Sequence, residues 1–151
     1  MEEYDYCYNI ILLGSYVGKT SILNRYIKNA FINEYYTYYV EYMEKIIYLD
    51  NGERIMLRIG DTCGQELYWS VTRSYLKHAH GLLLIYDVTD KSSLDDLYYY
   101  WLDETKEPVP KDIPKIVVGN HIDDEDNRQV TKEQGEEFAK EFGLLYYECS
   151  A

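Results

Sequence analysis

The strongest constraint on this chain is a glycine-bearing turn that joins a mostly apolar run to a helical pattern. Residues 8–13 form the apolar run, typical of a buried strand, and apolar residues at helical spacing begin at Ile22. The sequence between them is Gly14-Ser15-Tyr16-Val17-Gly18-Lys19-Thr20-Ser21. Such a turn directs backbone N–H groups toward the N-terminus of the helix, where anions bind. We therefore expect an anion site at this junction.

The residues that end the turn indicate that the anion is a phosphate. Lys19 supplies a mobile positive charge for terminal phosphates, and the Thr20 hydroxyl is placed to ligate a Mg²⁺ ion that bridges them. The expected ligand is a nucleoside triphosphate with magnesium. The predicted phosphate contacts come from the turn and from one later glycine: Ser15, Tyr16, Val17, Gly18, Lys19, Thr20, Ser21 and Gly64.

The turn is one residue shorter than the usual phosphate loop. Gly14 and Gly18 enclose three residues, whereas the common motif has four. Tyr16 also stands where a small residue is expected, so its side chain takes up space near the third phosphate. A shorter loop presents fewer inward N–H groups. The alternative to a phosphate site is a vestigial turn.

Length and charge limit the classes of function. The 151 residues suit one domain with a sizeable core, and the net charge of −12 argues against a nucleic-acid surface or direct attraction to anionic lipid. The three cysteines are far apart and form no CxxC pair, which favours a reducing compartment and no zinc site. With no signal peptide in the first residues, we expect a cytoplasmic protein.

The hydrophobic pattern predicts strands that alternate with helices, and therefore an α/β fold with a mostly parallel sheet and one antiparallel pair. The antiparallel pair is expected to be joined by a two-residue turn within 50–53. Ser92 or Ser93 is expected to lie near the cap of the third helix, and Thr131 with Gln134 to form a capping box. The predicted strands are 8–13, 40–49, 54–59, 81–88, 116–118 and 144–148, and the later helices are 68–78, 92–106 and 131–142.

Polar residues that follow two of these strands extend the predicted site. Asp61 is placed to hold Mg²⁺, directly or through water, and Gln65 to orient an attacking water, while the Gly64 N–H senses a third phosphate. The Asp123 carboxylate can accept two hydrogen bonds from guanine, which has a donor pair that adenine lacks. The alternatives are a strand-end Asp61 that caps a turn, and an Asn120-to-Asp123 segment that is an ordinary turn. Backbone N–H groups near Ser150 and Ala151 can bond guanine O6.

Taken together, the motifs resemble the Ras superfamily of small GTPases, and Rab proteins most closely, over nearly the whole chain. The resemblance implies the G-domain form of the P-loop NTPase fold, with six strands, one antiparallel edge hairpin and helices on both faces. The motifs that carry it, besides the loop, are segments 61–66, 70–75, 84–91, 118–123 and 148–151, together with the Rab-like first-switch strand 40–45.

The resemblance also implies roles for individual residues and for partners. Thr37 would be the second hydroxyl ligand of Mg²⁺, Phe31 the aromatic partner of guanine, and His121, with Asn120, part of the guanine site. The protein would switch between GTP and GDP in vesicle or membrane traffic, with effectors, an exchange factor and an activating protein as partners. Residues 1–151 would form one G domain without the usual final helix and lipidated tail. In the family, the lipidated tail is the part that brings the protein to the cytosolic face of endomembranes.

Several positions depart from the Rab pattern. The interval from Phe31 to Thr37 is one residue short, His121 replaces a lysine, and Gly60 replaces the tryptophan of the effector surface. Trp101 also stands one position later than the family's helix tryptophan. We expect guanine-nucleotide binding with slow or impaired hydrolysis. The rivals are a pseudo-GTPase interaction module that binds weakly or mainly GDP and, more distantly, an adenine-specific kinase or ATPase.

Overall fold

The chain alternates strands with helices, as its hydrophobic pattern predicts. The computed structural model describes residues 3–31, 41–62, 69–106, 109–110 and 112–151. In chain order the elements are β1 (Tyr6–Leu13), α1 (Lys19–Lys28), β2 (Glu41–Tyr48), β3 (Arg54–Asp61), α2 (Trp69–Leu76), β4 (Gly81–Asp87), α3 (Lys91–Asp96), a π-helical turn (Leu97–Trp101), α4 (Leu102–Glu104), β5 (Lys115–Asn120), a 3₁₀ turn (Glu125–Asn127), α5 (Lys132–Glu141) and β6 (Leu145–Glu148).

The six strands form one sheet in the order β2-β3-β1-β4-β5-β6. The β2–β3 pair at the edge is antiparallel, and the other four neighbouring pairs are parallel. This confirms the predicted fold class. Because the carboxyl ends of parallel strands meet at one edge of a sheet, the segments after β1, β3, β4, β5 and β6 are brought together there.

Alternate side chains of the central strands supply two separate cores. Ile11 and Leu13 of β1 belong to a cluster that includes Leu76 of α2 and Trp101. Leu12, between them, belongs to a second cluster with Leu23 of α1. Successive strand residues point to opposite faces, so the two clusters lie on the two sides of the sheet. Helices therefore cover both faces, as predicted.

The β2–β3 connection differs from its prediction. Leu49 donates its N–H to the Glu53 carbonyl at 2.9 Å, and Gly52 donates to the Leu49 carbonyl at 2.9 Å. The loop therefore has three residues, and the predicted two-residue turn is wrong. A two-residue type I′ turn needs positive φ at both central residues. Gly52 has φ 89°, but Asn51 is not left-handed and instead accepts the Glu53 N–H on its side chain.

The helix after β4 also differs from its prediction. It begins at Lys91, and its N-cap is Asp90, whose carboxylate accepts the Ser92 N–H at 3.0 Å. Ser92 therefore lies near the cap, as predicted, and donates to it, while the cap itself is Asp90, an aspartate that fulfils the usual N-cap role. The helix contains a π turn, in which Leu102 donates its N–H to the Leu97 carbonyl five residues back. Periodicity at the α-helical value does not predict such a turn.

Other bounds agree with the predictions to within a few residues. The Thr131–Gln134 capping box is present, with both of its reciprocal hydrogen bonds. β1 begins two residues earlier than predicted, at Tyr6, and the predicted start residues Val40 and Tyr68 lie outside the described part of the chain. Within the described ranges, we find no helix whose length and apolar character would let it cross a bilayer.

Candidate nucleotide-binding site

Two glycines define the turn between β1 and α1 because neither position has room for a side chain. A Cβ atom at Gly14 would lie 2.3 Å from the Ile85 carbonyl oxygen of β4. At Gly18 it would lie 2.7 Å from the Asn120 side-chain nitrogen, and the φ of 85° is in the left-handed region. The turn therefore packs directly on two neighbouring strands, which places its backbone at the sheet's carboxyl edge.

The two middle residues of the turn, Tyr16 and Val17, direct their side chains to opposite environments, solvent and core. Val17 is fully buried and joins the core on the α1 side of the sheet. Tyr16, the residue before it, has φ 53° and a side chain that is 70% exposed. A left-handed conformation at a residue other than glycine costs roughly 1–2 kcal/mol. The short loop therefore carries local strain at Tyr16, beside the half-buried Ser15.

Lys19 and Thr20 begin α1 and face inward. Lys19 is 6% exposed, and its Nζ donates a hydrogen bond to the Gly14 carbonyl at 2.5 Å. The Thr20 hydroxyl donates to the carboxylate of Asp61, which is 1% exposed at the end of β3. Ser21 follows on the same helix and is half-buried. The start of α1 thus supplies a buried cation and a hydroxyl that contacts the β3 carboxylate.

The contact between Thr20 and Asp61 provides a test of whether these residues suit Mg²⁺. Both donors are oxygen atoms, the ligands that Mg²⁺ prefers, and Mg²⁺ is usually held by one or two protein groups with phosphates and waters completing its shell. No group of three or more His, Cys, Asp or Glu side chains that would suit a metal occurs in the described ranges. A two-residue oxygen set fits Mg²⁺ shared with a phosphate better than it fits a metal caged by protein.

Asn120, at the end of β5, connects the predicted base site to the phosphate turn. It is fully buried, and its side-chain N–H donates to the Val17 carbonyl at 2.9 Å. The Cys149 thiol approaches the Asn120 side-chain oxygen at 3.6 Å. The amide therefore braces the turn from the neighbouring strand. This brings the two sequence motifs into one site.

His121 lies against the same turn. A Cβ atom at Gly18 would be 3.3 Å from His121 Nε2, so the ring sits beside the turn. The other ring nitrogen, Nδ1, is 2.9 Å from the carboxylate of Asp87 at the end of β4. His121 adopts φ 67°, a left-handed conformation. Sequence reasoning did not select Asp87 as a site residue, although its place at a strand's carboxyl end is a usable signal.

Asp123 and Ser150 are joined by a hydrogen bond. The Ser150 hydroxyl donates to the Asp123 carboxylate at 2.6 Å. This bond, more than any other contact, lowers the pKa of Asp123 below its usual value. Backbone bonds from Cys149 N–H to the Gly119 carbonyl and from Ile122 N–H to the Cys149 carbonyl hold the two segments together. Ala151 follows, half-buried.

The geometry is accompanied by clear relationships to known proteins. A family model described as the Ras family matches residues 9–151. Ras-related protein Rab-15 of Rattus norvegicus is 38% identical over 152 aligned positions, covering 99% of this chain and 71% of the relative. Ras-related protein Rab-8A of Bos taurus is 39% identical, covering 99% of this chain and 72% of the relative.

The chain belongs to the Ras family. Within that family it is a Rab-like small GTPase, as its motifs suggested.

Not every predicted site residue of this Rab-like chain is described. Thr37, Gly64 and Gln65 lie outside the described residues. Phe31 is described and is 54% exposed, and its place beside a guanine ring stays a prediction. The described site therefore comprises the phosphate turn, Asp61 and the two segments that end β5 and β6.

The Rab-like chain also shows how its structure accommodates Gly60. A Cβ atom there would lie 2.9 Å from the Ile11 side chain and 3.0 Å from the Tyr42 ring. Tyr42 packs on Tyr75 with ring centroids 5.4 Å apart, and the Arg58 guanidinium lies 5.2 Å from the Tyr42 ring. Tyr42 therefore covers Gly60, and a larger side chain there would require Ile11 and Tyr42 to move.

Proposed function

We propose that this Rab-like chain binds GTP and GDP with Mg²⁺ and acts as a guanine-nucleotide switch with slow GTP hydrolysis. The observation that carries the proposal is the hydrogen bond from Asn120 to the Val17 carbonyl, because it unites a phosphate turn with a guanine-type motif. Phosphates would contact the backbone of residues 15–21 and Lys19, while Asp123 would accept the guanine donors.

The magnesium ligands would be Thr20, Asp61 and, outside the described residues, Thr37. Bound Mg²⁺ would neutralise charge that develops on the β- and γ-phosphates. Thr20 and Asp61 would each contribute an oxygen atom, and their existing contact means that little rearrangement is needed. Lys19 would exchange its bond to the Gly14 carbonyl for phosphate oxygens.

Slow hydrolysis follows from the two places where the chain is one residue short. Gln65 would orient the attacking water and Gly64 would contact the γ-phosphate, as the resemblance to Rab proteins implies. Each hydrogen bond lost to a charged group costs about 1.5–3 kcal/mol. Losing one in the phosphate turn and one near Thr37 weakens binding by roughly 10²- to 10⁴-fold. Catalysis suffers more than binding because it needs sub-ångström alignment.

The partners we propose are those of a trafficking switch. An exchange factor, an activating protein that supplies an arginine, and effectors would act on it at the cytosolic face of endomembranes. Membrane attachment would need a lipidated C-terminal segment, and nucleic acid is not a partner at a net charge of −12. Because Tyr42 covers Gly60, effectors that depend on a tryptophan there would bind poorly.

Calorimetric titration tests nucleotide binding. Purified, nucleotide-stripped protein is titrated with GDP, GTP and ATP, each with Mg²⁺ and with EDTA. We expect both guanine nucleotides to bind with micromolar or tighter affinity. EDTA should weaken the binding of GTP, and ATP should not bind. Lys132→Ala, on the exposed surface of α5, is the control for Lys19→Ala, which should weaken binding about 10- to 100-fold.

One alternative is favoured by a specific observation. Lys19 bonds to the Gly14 carbonyl of a turn that is one residue short, an arrangement that also suits a pseudo-GTPase interaction module. Such a module would bind nucleotide weakly or mainly as GDP, so micromolar or tighter GTP binding that requires Mg²⁺ would exclude it. Single-turnover hydrolysis, measured beside Rab-8A, separates a slow enzyme from one without activity, and a rate equal to that of Rab-8A would contradict slow hydrolysis.

A further inference from the structure

The helix that faces the phosphate turn contains one extra residue. Its π turn, residues Leu97–Trp101, is closed by the bond from Leu102 N–H to the Leu97 carbonyl. An inserted residue in a regular α-helix would rotate everything beyond it by about 100°. A π turn takes up the insertion locally, so the residues on either side keep their faces. Trp101 stands one position later than in the Rab pattern, and the π turn aims it at the core.

Trp101 is in contact with the phosphate turn. Its side chain is 2% exposed, within the cluster on the α2 and α3 side of the sheet. Its indole N–H donates to the Ser15 hydroxyl at 3.2 Å, across 86 positions of sequence. A buried indole N–H requires such a partner. The two one-residue differences from the Rab pattern, a shorter turn and a longer helix, therefore meet at one hydrogen bond.

The contact holds one side of the strained residue in the turn. Asn120 tethers the Val17 carbonyl on the far side of Tyr16, and Trp101 tethers Ser15 on the near side. Between them Tyr16 is exposed and left-handed. Gly14, before Ser15, packs so closely on the Ile85 carbonyl that a Cβ atom would not fit between them. A turn with three residues is thus held by neighbours at each end, which limits the positions that its N–H groups can take.

We propose that Trp101 is a positioning residue for the shortened phosphate turn, acting through Ser15, and that the π turn places it there. This inference rests on the proposed nucleotide binding. Trp101 does not touch the nucleotide. By holding Ser15, it keeps the N–H groups of residues 15–18 directed at the phosphates. Losing this contact lets the turn relax away from the strained conformation at Tyr16, and bound nucleotide then leaves faster.

Dissociation of a fluorescent GDP analogue from the Mg²⁺-loaded protein tests the proposal. Ser15→Ala and Trp101→Phe each remove one half of the hydrogen bond. We expect each to speed dissociation about threefold to tenfold. The double variant should dissociate no faster than the worse single variant, because both changes break the same contact. Tyr99→Phe is the matched control, since Tyr99 lies on the same π turn and is 76% exposed, and it should dissociate as the unmodified protein does.

Ser15→Ala keeps the experiment decisive if Trp101→Phe folds poorly, because Ser15 is only half-buried, whereas Trp101 is part of the core. A purely structural role predicts that its dissociation rate is unchanged. Ser15→Thr, which keeps the hydroxyl, should restore slow dissociation. If the two substitutions each speed dissociation and their fold-changes multiply in the double variant, they act independently, which would also overturn the proposal. If the unmodified protein binds nucleotide while all variants dissociate alike, this inference alone fails; if it binds none, the proposed function fails with it.

A spectroscopic measurement separates positioning from general destabilisation. Trp69→Phe leaves Trp101 as the single tryptophan, because the chain has two. Its ¹⁵N-labelled indole N–H resonance should shift when GDP and Mg²⁺ are added, because the phosphate charge bound at the turn polarises the Ser15 hydroxyl that accepts the indole hydrogen bond. In the Trp69→Phe, Ser15→Ala variant that shift should largely disappear. An indole signal that ignores GDP in the nucleotide-binding Trp69→Phe protein would contradict the proposal.

Discussion

Asp123 is the residue on which the choice of base depends. Its carboxylate is exposed at the end of the segment that follows β5 and accepts a hydrogen bond from the nearby Ser150 hydroxyl. A carboxylate can accept hydrogen bonds from both the ring N–H and the amino group of guanine. The neighbouring Asn120 is buried in its bond to the turn, so the two polar residues of the motif have different tasks.

Exchanging Asp123 for asparagine should therefore change the preferred base. Asparagine presents one acceptor and one donor, which suits xanthine, because xanthine carries an oxygen in place of the guanine amino group. We expect Asp123→Asn to weaken GDP binding about 10- to 100-fold and to strengthen binding of xanthosine diphosphate, measured by calorimetry. Asp126→Asn, in the exposed 3₁₀ turn, should leave both affinities unchanged. Equal GDP affinities for both variants would refute the assignment.

Ser150 should set the acid limit of guanine binding. Its hydrogen bond lowers the pKa of Asp123, so the carboxylate stays ionised as the pH falls, until the pH passes that lowered pKa. In Ser150→Ala the pKa rises toward its ordinary value, and GDP affinity is then lost at a higher pH than in the unmodified protein. Titrations from about pH 3.5 to 7 measure the difference. Ser150→Thr keeps a hydroxyl and should follow the unmodified profile; superimposed profiles for the alanine variant would contradict the prediction.

The phosphate turn depends, as an element, on its contact with β4. Gly14→Ala would place a methyl group 2.3 Å from the Ile85 carbonyl, and it should cost about 3 kcal/mol of unfolding free energy. Gly52→Ala is the control, because Gly52 also has positive φ but nothing lies within 4 Å of its Cβ position. That change should cost about 1 kcal/mol from backbone conformation alone. Urea denaturation measures both values, and similar losses would show that the close approach is unimportant.

The helix that carries the π turn depends on Asp90 for its start. The carboxylate accepts the Ser92 N–H and hydroxyl, so Asp90→Ala should lower the unfolding free energy by about 1 kcal/mol. Asp95→Ala changes the same charge on the exposed face of the same helix and should cost much less. The comparison is made by urea denaturation. A larger loss from Asp95→Ala would mean that the helix is not capped as described.

For the whole molecule, nucleotide binding and folding should be linked. At GDP a hundredfold above its dissociation constant, binding adds about 2.7 kcal/mol to the unfolding free energy. For a chain of this size that raises the melting temperature by roughly 5–10 °C. Scanning calorimetry with Mg²⁺ and GDP should show one transition shifted by this amount, as expected if residues 1–151 form one domain. ATP at the same concentration should give no shift, and a shift equal to that of GDP would rule out guanine selectivity.

Much of the fold could be predicted from the sequence because its signals are local. The alternation of apolar runs with helical spacing predicted the strands, their mostly parallel arrangement and one antiparallel pair, while the edge position of that pair was implied by the resemblance to small GTPases. The Thr131 cap was predictable too, since both partners of a capping box lie within four residues. The glycine and lysine of the phosphate turn and the two strand-end motifs were likewise visible, because each is a short run of neighbouring residues.

Tertiary structure decided the contacts between segments that are distant in sequence. The Trp101–Ser15 and Asn120–Val17 bonds join positions 86 and 103 residues apart, and the His121–Asp87 pair depends on the neighbouring ends of β4 and β5. The one-position offset of Trp101 was visible in the sequence, but only the structure shows that a π turn accommodates the extra residue. Local chemistry thus determined the elements and the motifs. Only packing of the sheet and helices decided which side chains brace the phosphate turn, because that depends on where distant backbones approach one another.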